Sequence, residues 1–232
     1  TAEYDLTIAS WLGSTISSEM QNLDWLGLIF KRENSLRYGE NPHQSAAFYR
    51  SSNRATGLAA TEQLHGKAMS FNNFTDADAA WRTAWDQSEP CVAIIKHANP
   101  CGVAIGENIA DAYLKAHACD SISAFGGVVA ANREISVEMA TALSEIFTEV
   151  VIAPSYESGA VEILSKKPSI RILKASEYMR PELELRPVLG GLLIQSTDAI
   201  DASGDSFSNW KQVSGGEISD AIRADLEFAW RA

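Results

Sequence analysis

Short runs of consecutive apolar residues alternate with amphipathic segments through residues 76–175. Because the apolar positions in these runs are continuous, we predict strands that are buried on both faces of a sheet. The predicted strands are CVAII (91–95), GGVVAANR (126–133), VVIAP (150–154) and SIRILKA (169–175). The predicted helices span 76–85 with Thr75 or Asp76 as N-cap, 109–119, 137–147 capped by Ser136, and 156–165. This alternation predicts a layered α/β domain.

The flanking segments carry weaker patterns of the same kind. The elements predicted there are a helix over 3–12 ended by Gly13, short strands at 46–50 and beyond Gly191, a linker at 198–216 and a helix from about Glu217. Large aromatic side chains in amphipathic segments are expected in the core. These are Trp81, Trp85, Trp210 and Trp230.

The formal net charge of -11 limits the partners of this chain. An acidic surface disfavours broad contact with nucleic acid or an anionic membrane, whereas a small phosphate-bearing ligand needs only a local cationic pocket. No run of apolar residues approaches the length of about 18 that a membrane span requires. Three cysteines without a CxxC pair are interpreted as reduced thiols. We therefore expect a cytoplasmic protein.

The segment CVAIIKHANPCG (91–102) places two cationic or titratable side chains at the end of a predicted buried strand. Strand ends at the carboxyl edge of an α/β sheet are where ligands bind, so Lys96 and His97 are candidate catalytic residues. Both can reach one pocket only if the strand stops at Lys96, because successive side chains of a strand alternate faces. The turn residues Asn99 and Pro100 favour such a stop. The alternative is a lysine extending into solvent beside a half-buried histidine.

The HANPC motif is similar to part of the zinc-deaminase signature, H-x-E followed by P-C-x-x-C. Asn99 stands where the catalytic glutamate would be, and Ala104 stands where the second cysteine would be. A catalytic zinc site needs those ligands, so no zinc is expected.

Four further segments hold candidate binding residues, each with a structural alternative. The glycines of SAFGG (123–127) allow close ligand approach or form a plain turn. Arg37 and Tyr38 offer an anion partner and a stacking ring, or are surface residues. The stretch 64–78, with His65, Lys67, Asn72 and Asn73, caps the following helix or lines a pocket. Glu149 is most simply a solvated residue before a strand.

Taken in order, these motifs resemble a known enzyme family. They are LRYGENPHQ (36–44), LHGKAMSFNNFTDADAAW (64–81), IIKHANPCGVAIG (94–106), DSISAFGGVVAANRE (120–134) and VVIAPSYESGAVEIL (150–164). The resemblance runs from about residue 34 to 195 and is to the bifunctional purine biosynthesis family, AICAR transformylase/IMP cyclohydrolase. It implies a truncated layered α/β/α fold of the cytidine-deaminase-like type.

The resemblance also implies a reaction in which 10-formyltetrahydrofolate, as co-substrate, donates a formyl group to the 5-amino group of AICAR. The products are FAICAR and tetrahydrofolate. His97 would accept the proton of the amine, and Lys96 would stabilise the oxyanion and help to protonate the leaving folate nitrogen. Arg37, Tyr38, Phe125, Gly126 and Glu149 would bind the nucleotide. The family forms a homodimer whose active site is shared, with Arg37 and Tyr38 reaching the partner's nucleotide.

The same resemblance predicts three regions. These are a cyclohydrolase tail and linker (1–30), the first deaminase-like subdomain (31–197), and a linker with the start of a second subdomain (198–232). The remaining catalytic and folate-binding residues, and the domain that cyclises FAICAR to IMP, would lie outside this sequence, so we expect the 232 residues alone to be inactive. Two alternatives stay open: a non-catalytic nucleotide-binding or assembly module, and a deaminase-like metal hydrolase.

Overall fold

The computed structural model describes residues 2–16, 26–51, 57–176, 178–198 and 206–232. Six helices and ten strands follow one another in these ranges. They are α1 (Ala2–Ile16), β1 (Phe30–Leu36), β2 (Ala46–Ser51), β3 (Glu62–His65), α2 (Phe71–Trp85), β4 (Cys91–Lys96), β5 (Asn99–Ile105), α3 (Ile109–Cys119), β6 (Val128–Ala131), α4 (Val137–Ser144), β7 (Val150–Ala153), α5 (Ala160–Leu164), β8 (Arg171–Lys174), β9 (Leu183–Val188), β10 (Gly191–Ser196) and α6 (Asp220–Arg231).

A six-stranded mixed sheet, in the order β3-β8-β7-β6-β4-β5, forms the centre of the molecule. Strands β6, β7 and β8 run parallel, whereas β4 is antiparallel to β6 and also pairs with β5 in an antiparallel hairpin. Strand β3 closes the other edge against β8. Two separate hairpins, β1–β2 and β9–β10, flank this sheet.

Helices cover both faces of the sheet, which confirms the predicted layered α/β/α architecture. On β4 the side chains of Val92 and Ile94 pack into the cluster that contains α3, α4 and α5. Those of Ala93 and Ile95 pack into the opposite cluster with α2. The continuous apolar sequence of β4 is thus explained by burial on both faces, as predicted.

Two boundaries near β4 differ from the prediction. Helix α2 begins five residues before Asp76, because Ser70 and Asn73 exchange side-chain-to-backbone hydrogen bonds in a capping box. Asn99 and Pro100, which the sequence indicates as turn residues, instead begin strand β5. Pro100 is tolerated there because β5 is an edge strand, where a missing N–H interrupts no second ladder.

Other differences concern helix ends. Helix α1 continues past Gly13 to Ile16. Helix α5 begins at Ala160 rather than near 156, because the Tyr156 hydroxyl donates a 2.8 Å hydrogen bond to the Leu173 carbonyl oxygen, and Tyr156 bridges to Ile135. The helices predicted over 109–119 and after Ser136 are confirmed in type and start.

The prediction that four tryptophans lie in the core is wrong for two of them. Trp81 is fully buried and Trp85 is partly buried against it, whereas Trp210 and Trp230 are 40% and 61% exposed. Trp210 and Trp230 contact each other edge-to-face, at 5.4 Å between ring centroids. They stay exposed because no residue of α6 is buried against the described part of the chain.

The positions of the β1–β2 and β9–β10 hairpins do not test the predicted region boundaries at 30/31 and 197/198, which stay predictions.

Helix α2 is tied to β9 by the 2.9 Å ion pair between Arg82 and Glu184. None of the helices in the described ranges is long and apolar enough to cross a membrane.

Strand β5 packs so closely on α3 that one position requires glycine. A Cβ on Gly102 would lie 1.9 Å from the carbonyl oxygen of Ala116. We expect Gly102→Ala to lower the free energy of unfolding by about 1–3 kcal/mol, since a strand and a helix must separate to admit the methyl group. Urea denaturation measures this change.

The matched control is Gly191→Ala in β10. A Cβ there meets nothing closer than the Val188 side chain, at 3.5 Å, which is an ordinary contact. An equal loss of stability in both variants would contradict the argument from close packing.

Candidate active site

A cleft of about 520 Å³ opens where β4 ends and where β6, β7 and β8 begin. The site was expected at the carboxyl edge of the sheet. That holds for β4 alone, because β4 runs opposite to its parallel neighbours. The cleft therefore lies at the amino edge of the parallel strands. Six of the seven predicted site residues line it: Arg37, Tyr38, Lys96, His97, Gly126 and Glu149.

The strand stop between Lys96 and His97 has the expected consequence. Lys96 is the last residue of β4, and His97 and Ala98 form a two-residue turn that leads directly into β5. Both turn residues have positive φ, 53° and 57°, as a type I′ hairpin requires. Leaving the strand at Lys96 lets both side chains line the same cleft. Non-glycine residues in this conformation cost about 1–3 kcal/mol each.

Three hydrogen bonds hold this turn. The Asp76 carboxylate accepts one from the backbone N–H of Ala98 at 2.7 Å and one from that of His97 at 3.3 Å. The side-chain amide of Asn99 donates to the carbonyl oxygen of His97 at 2.8 Å.

The SAFGG loop contacts Lys96 through its backbone. The Lys96 ammonium donates a 2.9 Å hydrogen bond to the carbonyl oxygen of Phe125. Gly126 has φ +76°, which favours glycine, and its N–H donates to the Phe147 carbonyl oxygen at 2.8 Å. The Phe125 ring packs on Phe147 and does not line the cleft. Phe125 thus reaches the site through its carbonyl group.

Asp120 shapes the start of this loop. Its carboxylate accepts hydrogen bonds from the backbone N–H groups of Ser123 at 2.9 Å and Ile122 at 3.2 Å. The hydrogen bonds from Ser123, then that from Ile122 and the nearby charge of Lys96, lower the pKa of Asp120.

Arg37 and Tyr38 line the same cleft as Lys96 and His97, in the same chain. The Arg37 guanidinium lies 5.5 Å from the centre of the Tyr38 ring. One subunit therefore brings all four side chains to one cleft. The expectation that Arg37 and Tyr38 serve the partner subunit stays a prediction.

Glu149 is held in place rather than freely solvated. Its carboxylate accepts a 2.8 Å hydrogen bond from Arg171, whose side chain is 12% exposed, and a 3.3 Å hydrogen bond from the amide of Asn73. The Arg171 guanidinium also donates to the Ala68 carbonyl oxygen at 3.1 Å. This network fixes one carboxylate oxygen at the cleft, so Glu149 can accept a hydrogen bond from a bound molecule.

Lys67 adds a further cation to the cleft. The side-chain amide of Gln63 donates to the carbonyl oxygens of His65, Gly66 and Lys67, at 3.1, 3.2 and 2.7 Å, and so folds the loop that carries Lys67. Close approach of Gly66 to β8 reinforces that fold, because a Cβ on Gly66 would lie 1.9 Å from the Ile170 carbonyl oxygen.

The cleft is cationic although the chain is acidic. Arg37, Lys67, Lys96 and Arg171 line it, against the carboxylates of Asp76 and Glu149. Ser70, the N-cap of α2, also lines it. The first N–H groups of a helix lack intrahelical partners and carry partial positive charge, so this end of α2 favours an anion. The cleft is thus a local cationic pocket of the kind that a small phosphate-bearing ligand needs, even though the net charge of the chain is negative.

Arg171 and Asp76 are the site residues that sequence reasoning missed. Arg171 is a charged residue at the start of the buried strand β8, and the parallel strands β6 and β7 also begin at the cleft. A charge at the start of a buried strand is the signal that could have identified it. The sequence pattern indicates Asp76 as a helix cap, whereas Ser70 caps the helix in the structure. Among the described residues, no group of three or more His, Cys, Asp or Glu side chains could hold a metal ion.

The three cysteines differ in burial, so we expect them to differ in reactivity. Cys91 is fully buried, and burial, with the nearby charges of Glu89 and Asp86, raises the pKa of its thiol to about 12. Burial also raises the pKa of the partly buried Cys101, whereas Cys119 is exposed. At pH 8 we expect an aromatic disulfide reagent to modify Cys119 quickly, Cys101 slowly and Cys91 only after unfolding.

Absorbance of the released thiolate measures the three phases. Cys119→Ser should remove the fast phase and leave the others unchanged. A fast phase that persists in this variant would contradict the assignment.

Comparison with known proteins gives matches along the whole chain. Residues 1–232 match the family model described as AICARFT/IMPCHase bienzyme. The chain is 57% identical to the bifunctional purine biosynthesis protein PurH of Corynebacterium glutamicum, and 55% identical to the proteins of that name from Mycobacterium marinum and Mycobacterium leprae. Each match covers 100% of this chain and 45% of the relative, so the chain spans less than half the length of these relatives.

Proposed function

Because the chain belongs to the AICARFT/IMPCHase bienzyme family, we propose that it acts in purine biosynthesis by building part of a formyltransferase active site. The proposed reaction transfers a formyl group from 10-formyltetrahydrofolate to the 5-amino group of AICAR. The observation that carries the proposal is the meeting of Lys96 and His97 in one cationic cleft with Arg37, Tyr38 and Glu149.

The nucleotide has a negatively charged phosphate, and the cleft offers cations for it. We assign Arg37 and Lys67, with the N-terminal end of α2, to the anionic part of the nucleotide. The Tyr38 ring offers a surface for a planar base. Glu149, fixed by Arg171, accepts a hydrogen bond from the nucleotide, and the backbone of Gly126 permits close approach.

His97 acts as the proton acceptor. As the amine nitrogen of AICAR attacks the formyl carbon, a new C–N bond forms and the carbonyl oxygen becomes negative. His97 takes the proton that the amine loses, which keeps the nitrogen from being expelled again. The imidazole is exposed at the cleft, where a ligand can reach it.

Lys96 stabilises the negative oxygen and supports departure of the folate. An ammonium group has three donors, and the hydrogen bond to Phe125 uses one of them. The other two can meet the oxyanion. As the negative oxygen re-forms the carbonyl group, the bond from the formyl carbon to the folate nitrogen breaks. That nitrogen takes up the proton that His97 accepted from the amine, with the help of Lys96, and tetrahydrofolate leaves.

The test is an assay of the protein at its natural full length, with AICAR and 10-formyltetrahydrofolate, in which absorbance follows tetrahydrofolate. Calorimetry measures AICAR binding in parallel. We expect both turnover and binding. Binding without turnover would instead favour a nucleotide-binding or assembly module. Sedimentation of the same sample tests the expected homodimer. The IMP cyclohydrolase activity of the family is assigned to none of the residues described above.

A further inference from the structure

We propose that Asp76 is a positioning residue that holds the His97–Ala98 turn in the conformation that presents His97 to the substrate. This inference rests on the proposed function. Asp76 donates no group to the reaction in this proposal. It acts on the backbone of the residue that does.

The turn it holds is unusual within this molecule. His97 and Ala98 are the two non-glycine residues with positive φ among those whose backbone the structure describes. Type I′ turns strongly prefer Asn-Gly, Asp-Gly or Gly-Gly, because side chains disfavour positive φ. A histidine and an alanine at these positions therefore need support from the surroundings.

Asp76 supplies that support from a rigid element. Its two carboxylate oxygens accept one hydrogen bond each, from the N–H groups of the two strained residues. It lies on α2, which is fixed against the sheet by its buried neighbours Ala77 and Ala80. The carboxylate thus transmits the position of the helix to the turn. Charge-assisted hydrogen bonds of this kind are stronger than neutral ones.

Lys96 is positioned by a different contact. Its ammonium is bound to the Phe125 carbonyl oxygen, and its backbone belongs to the strand ladder. Neither Arg37 nor Tyr38 makes a hydrogen bond to Asp76 in the described structure. Loss of Asp76 should therefore displace His97 while leaving most nucleotide-binding groups in place. The effect should appear in kcat rather than in the KM for AICAR.

The experiment compares variants of the full-length protein. We expect Asp76→Ala to lower kcat by roughly tenfold to fiftyfold, with the KM for AICAR changed by less than about threefold, as expected for a small misplacement of a reacting group. Asp76→Asn keeps one oxygen acceptor, so its kcat should fall less than that of Asp76→Ala. The matched control is Asp78→Asn on the same helix, whose exposed carboxylate pairs with half-buried Arg82; this change should leave kcat unchanged.

A second substitution tests whether the turn is the cause. Ala98→Gly admits positive φ without strain. The double variant Asp76→Ala/Ala98→Gly should therefore have a kcat at least about threefold higher than that of Asp76→Ala alone. Absence of recovery would show that the loss does not come from the turn, and would overturn the proposal. A wild-type kcat in Asp76→Ala would also overturn the proposal. So would a decrease in kcat that equals the fraction of unfolded variant measured by circular dichroism.

These outcomes separate the inference from the function on which it rests. If the wild-type protein transfers no formyl group, the proposed function fails before any variant is measured. If the wild type is active and Asp76→Ala is equally active, only the positioning role fails.

Discussion

His97→Ala is expected to reduce formyl transfer by roughly 10²- to 10⁴-fold, the contribution that a positioned general base usually makes. The reason is that the amine of AICAR is a weak nucleophile and must lose a proton as it attacks. In the cleft, His97 stands next to Lys96 at the end of β4, in a turn held by Asp76. The measurement is kcat of the full-length protein, followed by formation of tetrahydrofolate.

Nucleotide binding should survive this change. The cations of the cleft and the Glu149–Arg171 pair remain, so the affinity for AICAR in the variant should stay within about threefold of wild type, since an interaction made only in the transition state contributes little to substrate binding. Added imidazole should restore part of the rate, because a free base of similar strength can enter the space that the side chain leaves.

The matched control is His117→Ala. His117 lies on α3 beside Tyr113, at 6.1 Å between ring centroids, and does not line the cleft. Its removal should leave kcat unchanged. If His97→Ala kept more than a tenth of the wild-type rate, His97 could not be the main proton acceptor.

The sequence predicted the middle of the fold well because local and tertiary preferences agree there. Strand β4 is apolar on both faces and is buried on both, and α3 has a clear periodicity with Asn108 as its cap. Strand β5 was missed because its signals conflict. Asn99, Pro100 and Gly102 favour a turn locally, but an edge position tolerates the proline, and close packing on α3 requires the glycine.

The site could be predicted only where one motif carries adjacent residues. Lys96 and His97 are neighbours in sequence, and a strand end was enough to suggest a shared pocket. Arg171 and Asp76 reach the cleft from elements 75 and 20 positions away from Lys96, through the order of strands in the sheet and the docking of α2. The periodicity of the sequence predicts neither the order of the strands in the sheet nor the antiparallel direction of β4. For the same reason, the expectation that the site lies at the carboxyl edge of the sheet holds for β4 but not for its parallel neighbours.

Lys96→Ala is expected to lower kcat for formyl transfer by roughly 10²- to 10³-fold, the usual effect of removing one donor to an oxyanion. The negative charge on the former carbonyl oxygen exists only after attack has begun. Lys96 therefore stabilises the transition state more than the bound substrate, and the KM for AICAR should change much less than kcat. Lys96→Arg should recover little, because the planar guanidinium places its donors differently from an ammonium.

The control for this prediction is Lys174→Ala. Lys174 also ends a strand of the central sheet, β8, but it is exposed and lies at the edge opposite to the cleft, because β8 runs antiparallel to β4. Its removal should leave kcat and KM unchanged. If Lys96→Ala bound AICAR and transferred the formyl group at the wild-type rate, the ammonium would have no part in the chemistry. Other residues would then carry the chemistry, and Lys96 would at most help to bind the nucleotide. A loss confined to kcat, absent from the control, requires Lys96 to act on the reacting atoms.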